Sequence, residues 1–177
     1  MLIKKVSILL FGLVFLFSSF GLPKNVEKKV QKEIKQVFNI EQFVKKPIQL
    51  PLDMEDKLPS SITSYNFFEI QNASKSLGYV YVNKASSKTA KFDYLVIFNT
   101  ELEIIHSKVL IYREEYGGEI GSKRWLKQFL GKTGKDRVNH ETNIDGISGA
   151  TISVRSMTNA VDDLLQTIAI LQKNKAL

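Results

Sequence analysis

Cysteine is absent from the 177 residues. That excludes disulfide staples, thiolate metal ligands, thiol-linked cofactors and a lipid-carrying cysteine after the N-terminal apolar run. Histidine is nearly absent: His106 and His140 are the two. Neither has a second imidazole or a carboxylate at ligand spacing, so no metal site is expected. No Ser-His-Asp arrangement is legible around Ser148 or Ser153, which leaves hydrolase chemistry without support. Gly131 and Gly134 are not followed by Gly-Lys-Ser/Thr, so there is no Walker-type phosphate loop. Internal repeats and low-complexity tracts are also missing.

The chain begins with Lys4 and Lys5 followed by an apolar run from Val6 to Phe20. A charged start, an apolar middle and the small residues Ser19 and Gly21 have the pattern of an export leader over residues 1–21. The run is about 15 residues, short of the roughly 20 a spanning helix prefers, and extending it to Leu22 gives about 17. A cleaved signal peptide and an uncleaved anchor are therefore both open. Either places the remainder outside the cytoplasm, in the periplasm or on the outward face of a membrane. Loss of Lys4 and Lys5 would lower the formal charge from +7 to +5. The excess sits among mixed-sign neighbours, as in Lys24, Glu27, Lys28, Lys29, Lys32 and Glu33. That describes a solvated face, open to anionic lipid headgroups and thereby to membrane association through the N-terminal region; nucleic acid is not an expected partner.

A hydrophobic fraction of 44% is normal for a globular core. Residues 22–60 read as an amphipathic helix and a connector. Val26, Val30, Ile34, Val37 and Phe38 recur every three or four positions in the helix, and Pro47, Pro51 and Pro59 punctuate the connector. Residues 61–177 read as the main domain. Strands are expected over Tyr65–Ile70, Leu77–Asn83, Asp93–Asn99 and Ile104–Tyr112, with turns at Asn72–Ser76 and Asn99–Glu103 and a loop over Lys84–Lys91. The unbroken run Tyr94–Phe98 suggests a central strand covered on both faces. Short connections make the sheet mostly antiparallel. Ser122–Leu130 reads as a short helix whose Trp125, Leu126 and Phe129 belong to the core. Val154, Met157, Val161, Leu164, Ile168 and Leu171 mark a long C-terminal helix docked on the sheet. The fold class is α+β.

At the start of that helix stands Asp145-Gly146-Ile147-Ser148-Gly149-Ala150-Thr151. Small residues let a bulky anion approach the backbone, and a helix start offers unpaired N–H groups and the positive end of its dipole. This is a phosphate seat with a threonine at its rim. The whole run resembles the acceptor motif of the FMN-binding domain family, which includes small flavin-carrying subunits of the sodium-pumping NADH:quinone reductase and of the Rnf complex. The resemblance runs on through Ser153, Arg155, Ala160 and Val161.

The resemblance implies FMN esterified through its phosphate to Thr151 by a flavin transferase that uses FAD. It makes Ser148, Gly149 and Ala150 close-approach residues, and Asp145 and Gly146 part of what the transferase reads. The strand exit Arg113-Glu114-Glu115-Tyr116-Gly117-Gly118 is similar to the family's Arg-Glu-Thr-Pro-Gly-Leu-Gly loop beside the isoalloxazine. Glu114 and Gly117 keep that pattern. Glu115, Tyr116 and Gly118 replace its Thr, Pro and Leu, which leaves the ring contacts and the redox tuning there open. Glu114, Gly117 and Gly118 complete the expected cofactor-binding set. The implied role is an exported electron carrier serving a membrane or exported redox partner, rather than a stand-alone enzyme. A redox-sensing subunit and a noncovalent ligand-binding module are the alternatives.

Overall fold

A computed structural model describes residues 21–51, 54 and 56–177. The leader expected over 1–21 lies outside them except for Gly21. Among the described residues no helix is long and apolar enough to cross a membrane.

Five strands form one antiparallel sheet in sequence order. They are β1 (Val44–Pro47), β2 (Phe67–Asn72), β3 (Lys75–Ser86), β4 (Lys91–Phe98) and β5 (Ile104–Ile111). Three helices accompany them among the described residues: α1 (Lys24–Phe38), the one-turn α2 (Lys123–Leu126) and the 23-residue α3 (Thr151–Lys173). The antiparallel sheet with a long C-terminal helix is the α+β arrangement expected.

Alternation along the central strand explains the layering. Phe92, Tyr94, Val96 and Phe98 of β4 face α3, together with Phe67, Tyr81 and Ile104. Leu95 and Ile97 face the other way, with Phe68, Ile70, Val80 and Val82, toward α1. Successive strand residues point to opposite faces, so a strand covered on both reads as a nearly continuous apolar run, here Tyr94–Phe98. On α3 the whole expected stripe, Val154, Met157, Val161, Leu164, Ile168 and Leu171, is buried against the larger cluster. On α1, Val26, Val30 and Ile34 are buried against the smaller one, so this helix packs on the sheet.

Two local readings need correction. The expected loop at Lys84 starts too early, because Lys84, Ala85 and Ser86 continue to pair with Asp93, Phe92 and Lys91. Only Ala85 of the three is buried. One inward residue suffices to hold a strand whose partner is strongly apolar, and composition alone misses this. The proline-containing connector also supplies an unforeseen edge strand, β1, which pairs with β2 and ends at Pro47. An edge tolerates proline because the missing N–H faces no neighbour.

Candidate functional site

The start of α3 is built by a turn. Ala150 N–H donates to the Ile147 carbonyl at 3.0 Å, and Gly149 sits third in that turn at φ +81°. A side chain is strained at such a φ, which is why glycine stands there. Ala150 is the N-cap residue and no side chain caps the helix. The first-turn N–H groups of Thr151, Ile152 and Ser153 therefore stay available to a ligand. Thr151 and Ile152 are exposed, whereas Ser153 and Val154 turn inward. The apolar stripe fixes the helix on the sheet, and this fixes which residues of its first turn face outward.

Beside this helix start lies a cavity of about 650 Å³, inside the range of about 300–1,000 Å³ typical of small-molecule sites. One wall is Gly149–Ser153. The floor is Tyr112–Tyr116, the segment leaving β5. The opposite wall is Lys88 and Thr89, at the tip of the β3–β4 hairpin. Two large apolar side chains lie open there: Tyr116 is 80% exposed and Ile152 50%. Apolar surface left uncovered at a cavity is suited to a flat aromatic ligand.

The floor is joined to both walls. Tyr112 Oη lies 3.0 Å from Ser153 Oγ. Gly117, at φ +82°, is buried where a β-carbon would stand 2.8 Å from Tyr112 Oη and 3.3 Å from the Ala150 β-carbon. Glycine here lets the loop pack under the seat. Arg113 donates to the Asp93 carboxylate at 2.5 Å and to the Lys91 carbonyl at 2.6 Å. Glu114 reaches back to the hairpin. Its Oε1 accepts from Ser87 Oγ at 2.5 Å, Thr89 N at 2.7 Å and Ala90 N at 3.1 Å, with Thr89 Oγ1 at 3.3 Å. These donors, the Ser87 hydroxyl foremost, hold its carboxyl below the usual carboxylate range.

The structure brings together Thr151, Ala150, Gly149 and Glu114 of the expected residues. Gly117 supports the seat from beneath, and Gly118 is exposed outside the lining. Ser148 is exposed and lines neither this cavity nor its neighbour. Asp145 and Gly146 line that separate neighbour, of about 340 Å³, with Trp125 and Gln128. Trp125 Nε1 donates to the Asp145 carbonyl at 2.7 Å, and Asp145 N donates to Gln128 Oε1 at 2.8 Å. The short helix α2 and the turn after it therefore anchor the beginning of the motif. Trp125 itself is buried with Phe129, as a core residue.

Sequence reasoning missed Lys88, Thr89 and Tyr112 as cavity residues. Their one signal was proximity to expected hairpin and strand ends, which gives no direction. Among the described residues no cluster of His, Cys, Asp or Glu could hold a metal ion.

Residues 88–166 match the family model described as the FMN-binding domain. All the residues lining the larger cavity fall within that span. No curated protein matches the chain.

Proposed function

The chain belongs, over residues 88–166, to the FMN-binding domain family, and from that premise we propose an exported electron-transfer protein whose FMN is esterified through its phosphate to Thr151. The observation that carries this is the exposed Thr151 hydroxyl at an uncapped helix start, on the wall of a cavity with uncovered Tyr116 and Ile152.

The residues present fit such a group. Gly149 leaves open space, since a β-carbon built there meets nothing within 4 Å. The α3 N–H groups and helix dipole would hold a phosphodiester carrying one negative charge. That dipole contributes only about 0.3–1 kcal/mol at an exposed site, too little to retain dilute flavin outside a cell. An ester to Thr151 removes the need for tight equilibrium binding. Tyr116 and Ile152 would cover the ring, and the Tyr112–Ser153 contact keeps floor and seat in register. When bound, FMN supplies the electron-transfer chemistry. The protein's part is attachment, orientation and exclusion of water. A flavin transferase would load it, and a membrane or extracytoplasmic redox partner would exchange electrons with it.

Protein from the native host, or co-expressed with a flavin transferase, should show the intact mass of one FMN adduct. Thr151→Ala should abolish the adduct completely and leave the unfolding temperature within about 2 °C, the scale of a neutral surface change. An unmodified wild-type mass after transferase treatment would refute the ester. Flavin that co-purifies but is lost on denaturation would instead favour a noncovalent module.

A further inference from the structure

The cavity lining carries two cations, Lys88 and Arg113, and two carboxylates, Glu114 and Glu115. Arg113 is committed to Asp93 and the Lys91 carbonyl. Glu114 commits Oε1 to three hairpin residues, Ser87, Thr89 and Ala90. Lys88 has no ion-pair partner among the described residues. The contacts of Glu114 bracket Lys88 in sequence, so one carboxylate holds the Ser87 hydroxyl before it and the Thr89 and Ala90 backbone after it.

We propose that Lys88 is the cation that tunes the flavin's redox balance, and that Glu114 is a positioning residue acting on the flavin through the hairpin. This rests on FMN occupying the cavity. The sign follows from charge. A cation at the wall would favour the reduced flavin to the extent that its ring is more negative than the oxidised one, so Lys88 raises the midpoint potential. Lys88 is exposed, and its field is therefore screened by salt. A purely structural residue would show no such salt dependence.

Glu114 has a separate signature. Hydrogen bonds to an ionised carboxylate are stronger than neutral ones, and a neutral amide oxygen retains part of their effect. Glu114→Ala should free the hairpin, and Glu114→Gln should hold it in part.

The test uses the full chain, Lys88→Met, Glu114→Ala and Glu114→Gln, each with and without transferase treatment. Hydrogen exchange on untreated protein reports the hairpin alone. The amides of Thr89 and Ala90 should exchange about tenfold faster or more in Glu114→Ala, with partial protection restored in Glu114→Gln and no change in Lys88→Met. On loaded protein, mediated potentiometry should show Lys88→Met shifted to a more negative potential, with the shift shrinking in high salt. Glu114→Ala should move the same way. An unchanged potential in Lys88→Met, or a shift indifferent to salt, overturns the role of Lys88. Unchanged exchange in Glu114→Ala overturns the positioning role. Wild type that takes up no flavin overturns the FMN reading and the tuning with it, leaving the exchange result to judge the Glu114–hairpin contact alone.

Discussion

The two long helices cover opposite faces of one sheet, yet they are held in different ways. The buried residues of α1 are Val26, Val30 and Ile34, all aliphatic. Those of α3 include Ser153, Thr158, Asp162 and Thr167 among the aliphatic positions. Three of these four polar side chains reach a segment outside the helix. Ser153 meets Tyr112, and Thr167 Oγ1 accepts from Ser60 N at 2.9 Å. Asp162 takes a fork from Arg137 and the Val138 N–H at 3.0 Å. The Thr158 hydroxyl has no partner among the described residues. Helix α1 is docked by its aliphatic stripe with ion pairs to strands at its edge, Glu27 to Lys45 and Glu33 to His106, while α3 is docked by area and also serves as the post to which loops are tied. The difference teaches where a site can be built: on the face whose loops are fixed by directional contacts.

The strongest way to break this comparison is to hollow out each face in turn. Met157→Ala on α3 and Ile34→Ala on α1 remove fully buried side chains, and each should cost about 2–5 kcal/mol in denaturant unfolding. Hydrogen exchange over residues 144–151 should quicken only for Met157→Ala. Equal loosening of the seat by Ile34→Ala would erase the distinction between the faces.

A sharper cut is Asp162→Ala, which strands the buried Val138 N–H and should cost about 1–3 kcal/mol. Burial pushes the Asp162 carboxyl up, but the hydrogen bonds from Arg137 and Val138 outweigh it and hold the group below its ordinary value. The contribution is therefore full above the unfolded-state pKa and is lost as pH falls through the depressed folded value. Thermal unfolding of Asp162→Ala should lose that acid-side slope. Asp163, one position on, behaves oppositely. Burial and the neighbouring Asp162 charge raise its carboxyl, against Arg137. It costs stability as pH rises from the unfolded value through the raised folded value, and the penalty is complete above the latter. Asp163→Asn should accordingly stabilise the protein at neutral pH, by about 0.5 kcal/mol, and by nothing in acid.

The smallest effect belongs to the plainer face. Glu33 of α1 reaches His106 of β5 at 2.9 Å, and both are half-buried. Glu33→Gln should cost under about 1 kcal/mol and leave flavin attachment unaltered. A larger loss would show that this contact carries as much of the docking of α1 as the polar ties do for α3.

Much of this was readable from local pattern. The α3 stripe, the doubly covered run of β4, the hairpin at Asn72–Ser76 and the core placement of Trp125 all follow from periodicities of a few residues. The turn and helix start at Gly149 and Thr151 were legible for the same reason, since these residues act on their own turn and helix. The rest of the cavity was not. Lys88 stands 63 positions before Thr151, and nothing in a polar hairpin says which strand end it will face. Glu114 lines the cavity as its place in the loop suggested, but nothing local showed that its Oε1 is taken by residues about 25 positions earlier. Asp145 and Gly146 looked like part of one site with Thr151. In the fold they line a neighbouring cavity rather than the one that Thr151 lines.

The sequence by itself determined the elements, the apolar faces they must bury and the threonine at the head of α3, because each depends on spacing within one segment. Only the tertiary structure decided what surrounds that hydroxyl. Antiparallel pairing brings the β3–β4 hairpin, the exit of β5 and the start of α3 to one end of the sheet. Side-chain contacts between these segments then set which charges are spent and which still face the cavity.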